Sequence, residues 1–325
     1  MAESTPSDAS RKAILIIGGC GYVAQFLLQS LLEHGDKFAV HATYRPGRSL
    51  DGMPTTVVWH AMRPSTATDV EATLGAASPD VVVNCAAMSS LKQCEVDPAG
   101  AEEANCPEVL LEHLKKVYRP MLFVHFSTDI VFDGRPDCTY SEDSAAEPVN
   151  AYGRSKLKFD ELLDSVSSLS CVVLRPPNIL GPRHPYVSTG MKFLQWLDGQ
   201  LQKDEPSKLF VDEYRNYVWV EDLVAVTVKL IEDFPGKPPA FRLMHCGGPD
   251  SLNRMQVAES LAAAKGYALE YKSEDGMLPR TLPTQRAEVD LGYPSPLCIR
   301  FSSDKVEAFM GRPMRAISEC IGQSK

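Results

Sequence analysis

The sequence predicts an α/β protein with a Rossmann-type, doubly wound parallel sheet, and three observations in its first half support this prediction. Short apolar runs alternate with longer segments of helical periodicity, which is the pattern of β-α-β units. Several runs are nearly continuous Val, Ile and Leu, as in strands that helices cover on both faces. A glycine-rich turn follows the first run and leads directly into the first helix.

Six strands and four helices are predicted before residue 176. The predicted strands are residues 13–17, 38–43, 56–60, 81–85, 121–126 and 171–174. The predicted helices are residues 23–33, 67–74, 99–116 and 151–165. Beyond residue 176 Pro and Gly become frequent and the strict alternation ends. The elements predicted there are a helix at 219–233, a strand at 241–246 and a helix at 254–265.

Composition excludes several classes of protein. The chain has 33 Lys and Arg against 42 Asp and Glu, a formal charge of −9, which opposes binding to a nucleic acid. No apolar run approaches the roughly 20 residues of a bilayer span, and residues 1–11 lack the apolar stretch of a targeting signal. We therefore expect a flexible tail at 1–11 and a cytoplasmic protein without a membrane partner. Nine cysteines without a C-x-x-C motif predict reduced thiols and no metal site.

The glycine-rich turn predicts a dinucleotide site. Gly18 and Gly21 allow a tight turn and a close approach of the backbone to a pyrophosphate, and Ala24 permits close packing of helix on strand. Because the turn joins a strand to a helix at the start of a β-α-β unit, its context supports the motif. We therefore expect an NAD(P)-binding domain at 12–176, completed by later returning segments, and mainly a smaller substrate-binding lobe at 177–325.

The end of the second predicted strand favours NADP over NAD. An Asp or Glu there would bind the ribose 2′-hydroxyl, but none is present. Arg45 and Arg48 can instead bind a 2′-phosphate. The alternatives are that both are solvated loop charges, and that the cofactor is NAD.

A tyrosine and a lysine four residues apart predict proton transfer. Tyr152 and Lys156 share one face of a predicted helix, and we expect the ammonium to lower the pKa of the phenol. Thr128 follows the fifth predicted strand, at the edge of the sheet where ligands bind, and can stabilise a developing oxyanion. Ser127 is the alternative hydroxyl, and strand-end capping is the structural explanation for both.

Together these motifs resemble the extended short-chain dehydrogenase/reductase superfamily over nearly the whole chain. The residues that carry the resemblance to its dTDP-4-dehydrorhamnose reductase group are 84–87, 127–134, Tyr140, Glu142, Pro148, Asn150 and 152–156. That group includes the β regulatory subunit of methionine adenosyltransferase. The resemblance implies a catalytic triad of Thr128, Tyr152 and Lys156, with Asn105 supporting the lysine through water.

The resemblance also implies binding residues. Cofactor contacts are implied at Gly18, Gly21, Tyr22, Val23, Arg45, Arg48, Ala86, Ala87, Tyr152, Lys156 and Pro177. Substrate contacts are implied at Ser89, Asp129, Asn178 and Arg215. Segments 175–182 and 215–223 look like those of nucleotide-sugar epimerases and dehydratases, in which an arginine and an asparagine hold the diphosphate. The alternative for Arg215 is an ion pair with Glu213 or Glu221.

Three functional hypotheses follow. The leading one is an NADP-dependent reductase of a nucleotide-linked 4-keto-6-deoxy sugar, in which tyrosine donates the proton. The second is an NADP-binding regulatory subunit whose partner is methionine adenosyltransferase. The third is a nucleotide-sugar epimerase or dehydratase that recycles its cofactor. Related enzymes also dimerise through the helices here predicted at 99–116 and 151–165, so a homodimer is a further hypothesis.

Overall fold

The computed structural model describes residues 11–235, 242–274 and 276–323. Up to residue 175 the strands are β1 (Lys12–Ile17), β2 (Phe38–Tyr44), β3 (Val58–Ala61), β4 (Val81–Asn84), β5 (Leu122–Phe126), β6 (Thr139–Tyr140) and β7 (Ser170–Arg175). The helices among them are α1 (Tyr22–Glu33), α2 (Ala67–Ala77), α3 (Leu91–Val96), α4 (Pro98–Asn105), α5 (Glu108–Leu114) and α6 (Ala151–Asp164).

In the second half, strands and helices do not alternate strictly along the chain. The strands are β8 (Asn178–Leu180), β9 (Ser207–Phe210), β10 (Tyr214–Trp219), β11 (Leu243–His245), β12 (Ser251–Leu252), β13 (Glu270–Ser273), β14 (Gly276–Pro279), β15 (Thr281–Thr284) and β16 (Cys298–Phe301). The helices are α7 (Phe193–Leu201), α8 (Val220–Asp233), α9 (Arg254–Lys265), α10 (Asp304–Met310) and α11 (Ile317–Cys320).

Seven strands form one parallel sheet in the order β3-β2-β1-β4-β5-β7-β11. The connection changes direction between β1 and β4, so the carboxyl ends of these two strands border a crevice. The predicted Rossmann-type fold is thereby confirmed. β11, from far downstream, joins the edge beside β7, and a second sheet, centred on β10 and β16, lies in the second half.

Alternate residues of β1 show that helices cover both faces of the sheet. Ile14 and Ile16 belong to a buried cluster with α1 and α8, whereas Leu15 and Ile17 belong to one with α2, α5 and α6. A third cluster, which includes Trp219, fills the second half. Because α8 packs on the same face as α1, the two halves share one core next to the crevice.

The structure corrects one predicted element. The helix predicted at 99–116 is two helices, because Pro107 lacks a backbone N–H and restricts Cys106 to a non-helical conformation. The predicted strand at 241–246 is described only as β11, since residue 241 lies outside the described residues, as do residues 1–10 of the predicted tail. Across the described ranges, no helix has the length and apolarity to cross a bilayer. All nine cysteines are free thiols, and seven are buried.

Candidate active site

The glycine turn after β1 packs tightly against the loop that follows β4. Gly18 has a φ of 77°, and a Cβ atom there would lie 2.9 Å from the Ala86 Cα. Its N–H donates to the Thr43 Oγ1 at 3.0 Å, and the Gly21 N–H donates to the Gly18 carbonyl at 2.9 Å. Gly21 is the N-cap of α1, so the free N–H groups of this helix end lie at the crevice.

A cleft of about 600 Å³ opens in front of this turn. Of the predicted cofactor residues, it is lined by Gly18, Gly21, Arg45, Arg48, Ala86 and Ala87. Sequence reasoning missed other lining residues, among them Cys20, Thr43, Met62, Arg63 and Thr189. Thr43, Met62 and Arg63 lie at or just beyond the carboxyl ends of β2 and β3, and this position was the signal that could have identified them.

Five predicted cofactor residues are not among those that line the cleft: Tyr22, Val23, Pro177, Tyr152 and Lys156. The Tyr22 side chain is buried, and its hydroxyl donates to the Pro182 carbonyl at 2.8 Å. Val23 is half-buried and packs against the core that contains β1. Pro177 is buried directly after the carbonyl of Pro176, which accepts the Asp129 N–H at 3.2 Å.

The structure brings the predicted proton donor and oxyanion-stabilising residue together. The start of α6 packs against the turn after Thr128, and Tyr152 contacts the buried cluster that contains Ile130 of that turn. Asn150 caps α6 by accepting the Gly153 N–H, and a Cβ atom at Gly153 would lie 2.3 Å from the Ile130 carbonyl. Only a glycine there lets the start of α6 approach the turn after Thr128. Burial raises the pKa of Tyr152, so its phenol is protonated at neutral pH.

Lys156 is buried behind Tyr152 on the same helix. Its Nζ lies 3.0 Å from the His125 Nε2 and donates to the Phe126 carbonyl at 2.5 Å. Burial lowers the pKa of Lys156 to about 8, against the opposing effect of Asp160. The expectation that this lysine lowers the pKa of Tyr152 is wrong, because burial dominates at the phenol and the amine is directed at β5.

Asn105 acts on α6 through a neighbour of the lysine. Its amide accepts the Met88 N–H at 2.8 Å and donates to the Met88 carbonyl at 3.1 Å and the Ser155 hydroxyl at 3.0 Å. Ser155 in turn donates to the Tyr152 carbonyl at 2.8 Å. Asn105 therefore ties the loop after β4 to the first turn of α6, and its predicted water-mediated support of Lys156 stays a prediction.

Ser127, the alternative hydroxyl, forms its hydrogen bond with a residue behind the site. It donates to the Asp160 carboxylate at 2.7 Å, and the Arg175 Nε lies 3.0 Å from the same oxygen. All three residues are buried. Asp160 thus forms a buried ion pair behind the site, and Thr128 is the hydroxyl that faces Tyr152.

The predicted substrate residues differ in their surroundings. Asp129 is 2% exposed, accepts the Thr128 hydroxyl at 3.2 Å, and has its pKa raised to about 6 by burial against the pull of Arg215. Ser89 and Asn178 are exposed, and Asn178 pairs with Tyr217 of β10. Asp129 therefore lies between the candidate catalytic groups and Arg215, while Ser89 lies on the loop after β4.

Arg215 is buried, and both of its terminal nitrogens donate to backbone carbonyls. It donates to the carbonyls of Tyr214, Pro296 and Leu297, and it lies 3.8 Å from the Glu213 carboxylate. These contacts match the ion pair weighed as the alternative from sequence. Arg215 holds the 295–297 segment against β10.

Two further arginines surround the same glutamate, and sequence reasoning missed both. The Glu213 carboxylate lies 3.6 Å from Arg254 and 3.9 Å from Arg286. Both guanidinium groups also lie over the Phe210 ring, at 5.0 and 5.6 Å. The buried Nε of Arg286 has no hydrogen-bond partner among the described residues. One carboxylate faces three cations, so these four side chains together carry excess positive charge.

Comparisons with known proteins identify the relatives of this chain. A family model for the RmlD substrate binding domain matches residues 12–323. A dTDP-4-dehydrorhamnose reductase of Burkholderia thailandensis is 34% identical over 149 residues, or 45% of this chain and 47% of that protein. The probable low-salt glycan biosynthesis reductase Agl14 of Haloferax volcanii is 31% identical over 155 residues, or 47% and 50%. The chain thus spans about half the length of these curated relatives.

Solved structures share the fold. A dTDP-4-dehydrorhamnose reductase of Bacillus anthracis, in complex with NADP, has a TM-score of 0.77 and 17% identity, covering 96% of this chain and 98% of that one. The UDP-glucose 4-epimerase of Thermotoga maritima has a TM-score of 0.76 and 20% identity, covering 96% of each chain. The resemblance predicted from the sequence is confirmed: the chain belongs to the RmlD substrate binding domain family.

Proposed function

We propose that this protein is an NADP-dependent reductase of a nucleotide-linked 4-keto-6-deoxy sugar. The observation that carries the proposal is the close packing of the start of α6, which carries Tyr152, on the turn that follows Thr128. Met88 lines the cleft and packs with Tyr152 against the same small cluster, so the phenol lies next to the end of the cleft. The reductases among the relatives, including those named for dTDP-4-keto sugars, support the reaction type.

The cleft has the groups needed to bind the pyrophosphate and the 2′-phosphate of NADP. At the glycine turn the backbone is close to Ala86, which leaves no room for a side chain, and the N-terminus of α1 offers N–H groups to a pyrophosphate. Arg45, Arg48 and Arg63 line the same cleft, and guanidinium groups suit a 2′-phosphate. When bound, NADPH would supply the hydride for the ketone carbon.

The protein's own groups would supply the proton and the polarisation. The Tyr152 hydroxyl, kept protonated by its raised pKa, would donate to the ketone oxygen as negative charge develops there. The Thr128 hydroxyl would hydrogen-bond the same oxygen, which requires it to turn from the Asp129 carboxylate. To bind the cofactor ribose, the Lys156 amine, with a pKa near 8, would have to turn from the His125 ring and the Phe126 carbonyl.

The second half would bind the sugar nucleotide. We assign the diphosphate to the excess positive charge around Glu213, with Arg254 and Arg286 as the available donors, since Arg215 is held by backbone carbonyls. Phe210, whose ring lies under the guanidinium groups of Arg254 and Arg286, would lie beside the diphosphate. Asp129 would face the sugar between these arginines and Tyr152.

A nucleotide-sugar epimerase is the second candidate. Its support is the similar resemblance to epimerase structures, with TM-scores of 0.76 and 0.77 beside 0.77 for the reductase in complex with NADP. An epimerase returns its hydride to the substrate, so net consumption of NADPH distinguishes the two functions. The predicted homodimer and the methionine adenosyltransferase partner remain predictions, for which size measurement and co-purification are the tests.

The decisive experiment measures NADPH oxidation with a panel of nucleotide-linked 4-keto-6-deoxy sugars. We expect Tyr152→Phe to lower kcat by roughly 100- to 10,000-fold while the affinity for NADPH is nearly unchanged, because only the proton donor is removed. The fully exposed Tyr118 provides the control, and Tyr118→Phe should retain full activity. Equal activity of the Tyr152 variant would refute the assignment, and product formation without NADPH loss would favour the epimerase.

A further inference from the structure

Three buried polar side chains form a continuous row of hydrogen bonds behind the candidate site. Asn84 ends β4, His125 is its register partner in β5, and Lys156 reaches them from α6. The Asn84 Nδ2 lies 3.1 Å from the His125 Nδ1, and the His125 Nε2 lies 3.0 Å from the Lys156 Nζ. None of the three is more than 1% exposed, so water does not substitute for these partners.

The direction of these bonds is set at the Asn84 end. The Asn84 Oδ1 accepts the Ala86 N–H at 3.2 Å, which leaves its NH₂ group to donate to the His125 Nδ1. Burial and the nearby Lys156 hold the pKa of His125 far below its ordinary value, so the imidazole is neutral and carries one proton. With the Nδ1 accepting, that proton is on the Nε2 and points at the lysine nitrogen.

This arrangement favours the neutral amine of Lys156. An amine has a lone pair that accepts the Nε2 proton, whereas an ammonium has none. Protonation of Lys156 would require the imidazole proton to move to the Nδ1, where it would face the Asn84 NH₂ group. The amide would then have to turn and release the Ala86 N–H, and Ala86 lines the cleft.

We propose that His125 is a positioning residue that links the protonation of Lys156 to the orientation of the Asn84 amide at the wall of the cleft. A role in catalysis rests on the proposed function, but the linkage itself does not. Because linkage is reciprocal, a ligand that binds the Ala86 N–H would favour the lysine ammonium, and the ammonium would free that N–H for the ligand.

The other groups that face Lys156 do not titrate in the same range. Burial raises the pKa of Cys85 well above its ordinary value and that of Cys106 to about 11, so both thiols stay protonated near pH 8. Asp160 is held in its ion pair with Arg175 and favours the ammonium throughout. A transition near pH 8 is therefore assigned to Lys156, with His125 changing tautomer in the same range.

The test is an NMR titration of the full-length protein, which needs neither cofactor nor substrate. Lysine labelled with ¹³C at Cε reports the charge of Lys156, and a Lys156→Met spectrum assigns its signal. Histidine labelled with ¹⁵N reports the His125 tautomer. We expect the Nε2–H tautomer above the lysine pKa, a change toward Nδ1–H below it, and one shared midpoint. An Nδ1–H tautomer across the whole range would overturn the proposal.

Substitution of Asn84 tests the direction of the linkage. Asn84→Leu removes the amide that penalises the ammonium, so the Lys156 midpoint should rise by about one pH unit, the size expected for one buried hydrogen bond. In a His125→Phe background the same substitution should shift the midpoint little, because the connection is absent. His125 packs against Phe123 and Phe159, so phenylalanine suits its site.

Lys192 is the matched control. Burial also lowers its pKa, but it contacts the Tyr22 ring and not His125. Its midpoint should be the same with Asn84 or Leu at position 84. An unchanged Lys156 midpoint in Asn84→Leu would refute the linkage even if the His125→Phe protein fails to fold. Coupled titration in a protein that reduces no keto sugar would instead refute the proposed function alone.

Discussion

The protein has two groups of arginines that are built in opposite ways. The cleft arginines are Arg45, Arg48 and Arg63, and the lobe arginines are Arg215, Arg254 and Arg286. The cleft arginines are exposed. None of them belongs to the ion pairs found among the described residues, which for the lobe arginines all involve Glu213. The lobe arginines share Glu213, whose side chain is 6% exposed. The cleft arginines are accessible to a ligand, whereas the lobe arginines are held by ion pairs with Glu213.

This difference separates binding from stability. An exposed guanidinium is solvated and contributes little to folding, so its removal should be felt mainly by an anionic ligand. The buried Arg215 depends on its carboxylate and carbonyl partners, so it requires Glu213 before any ligand is present. Removal of an exposed arginine should therefore affect ligand binding first, and removal of a buried arginine should affect stability first.

The largest expected effect is that of Glu213→Gln on stability. The substitution leaves the three lobe arginines without their shared carboxylate, and breaking a buried pair in this way costs about 3–5 kcal/mol. Urea denaturation should show that loss, while Arg45→Gln in the cleft should stay within about 0.5 kcal/mol of the parent protein. Similar losses in both variants would remove the distinction between the two groups.

Sequence reasoning identified the cleft better than the lobe for a physical reason. The glycine turn, Arg45 and Arg48 follow directly from strand ends, so local spacing places them at the same crevice. The cluster around Glu213 joins β10, α9 and the segment after β15, which are distant in the chain. No local pattern marks such a meeting, and only Arg215 was found.

The environment of Tyr152 shows a second limit. Spacing correctly predicted that Tyr152 and Lys156 lie on one helix, but four-residue spacing does not fix where a long side chain ends. The Lys156 amine lies against His125 and the Phe126 carbonyl. Burial, which the sequence does not show directly, then raises the pKa of the phenol instead of lowering it.

Asp129, whose carboxylate is acted on by Arg215 of the lobe group, should give the next largest effect. Its folded pKa of about 6 lies above the unfolded value of about 3.9, so folding disfavours the carboxylate. The stability from this shift is fully present below pH 4 and is lost as pH rises through 6. Asp129→Asn should therefore be more stable than the parent by ~2–3 kcal/mol at pH 8 and nearly equal at pH 4.

Denaturation curves at these two pH values test the Asp129 prediction. If Arg215 instead stabilises the charged Asp129 carboxylate in the folded protein, Asp129→Asn will be less stable than the parent at pH 8. That result would contradict the raised pKa of Asp129. Asp290, an exposed aspartate, provides the control, since Asp290→Asn should leave both curves in place.

Substitution of a cleft arginine should change the preference for NADP over NAD. Arg45→Ala should weaken NADP by roughly 10- to 100-fold and NAD much less, because a charge-assisted hydrogen bond contributes about 1.5–3 kcal/mol. Calorimetric titration with both dinucleotides measures the change. Arg135, an exposed arginine paired with Asp133, is the control. An unchanged preference in Arg45→Ala would mean that Arg45 is a solvated loop charge.

Arg254 should give the smallest effect, and it tests whether the lobe group also binds a ligand. Its side chain is 37% exposed, so Arg254→Ala should cost only about 0–1 kcal/mol of stability. If the excess charge around Glu213 holds a diphosphate, the variant should bind dTDP several-fold more weakly, by roughly 3- to 10-fold, and NADP equally well. Weaker NADP with unchanged dTDP would place both ligands in the cleft. The lobe arginines would then only stabilise the fold, and the cleft arginines alone would bind ligands.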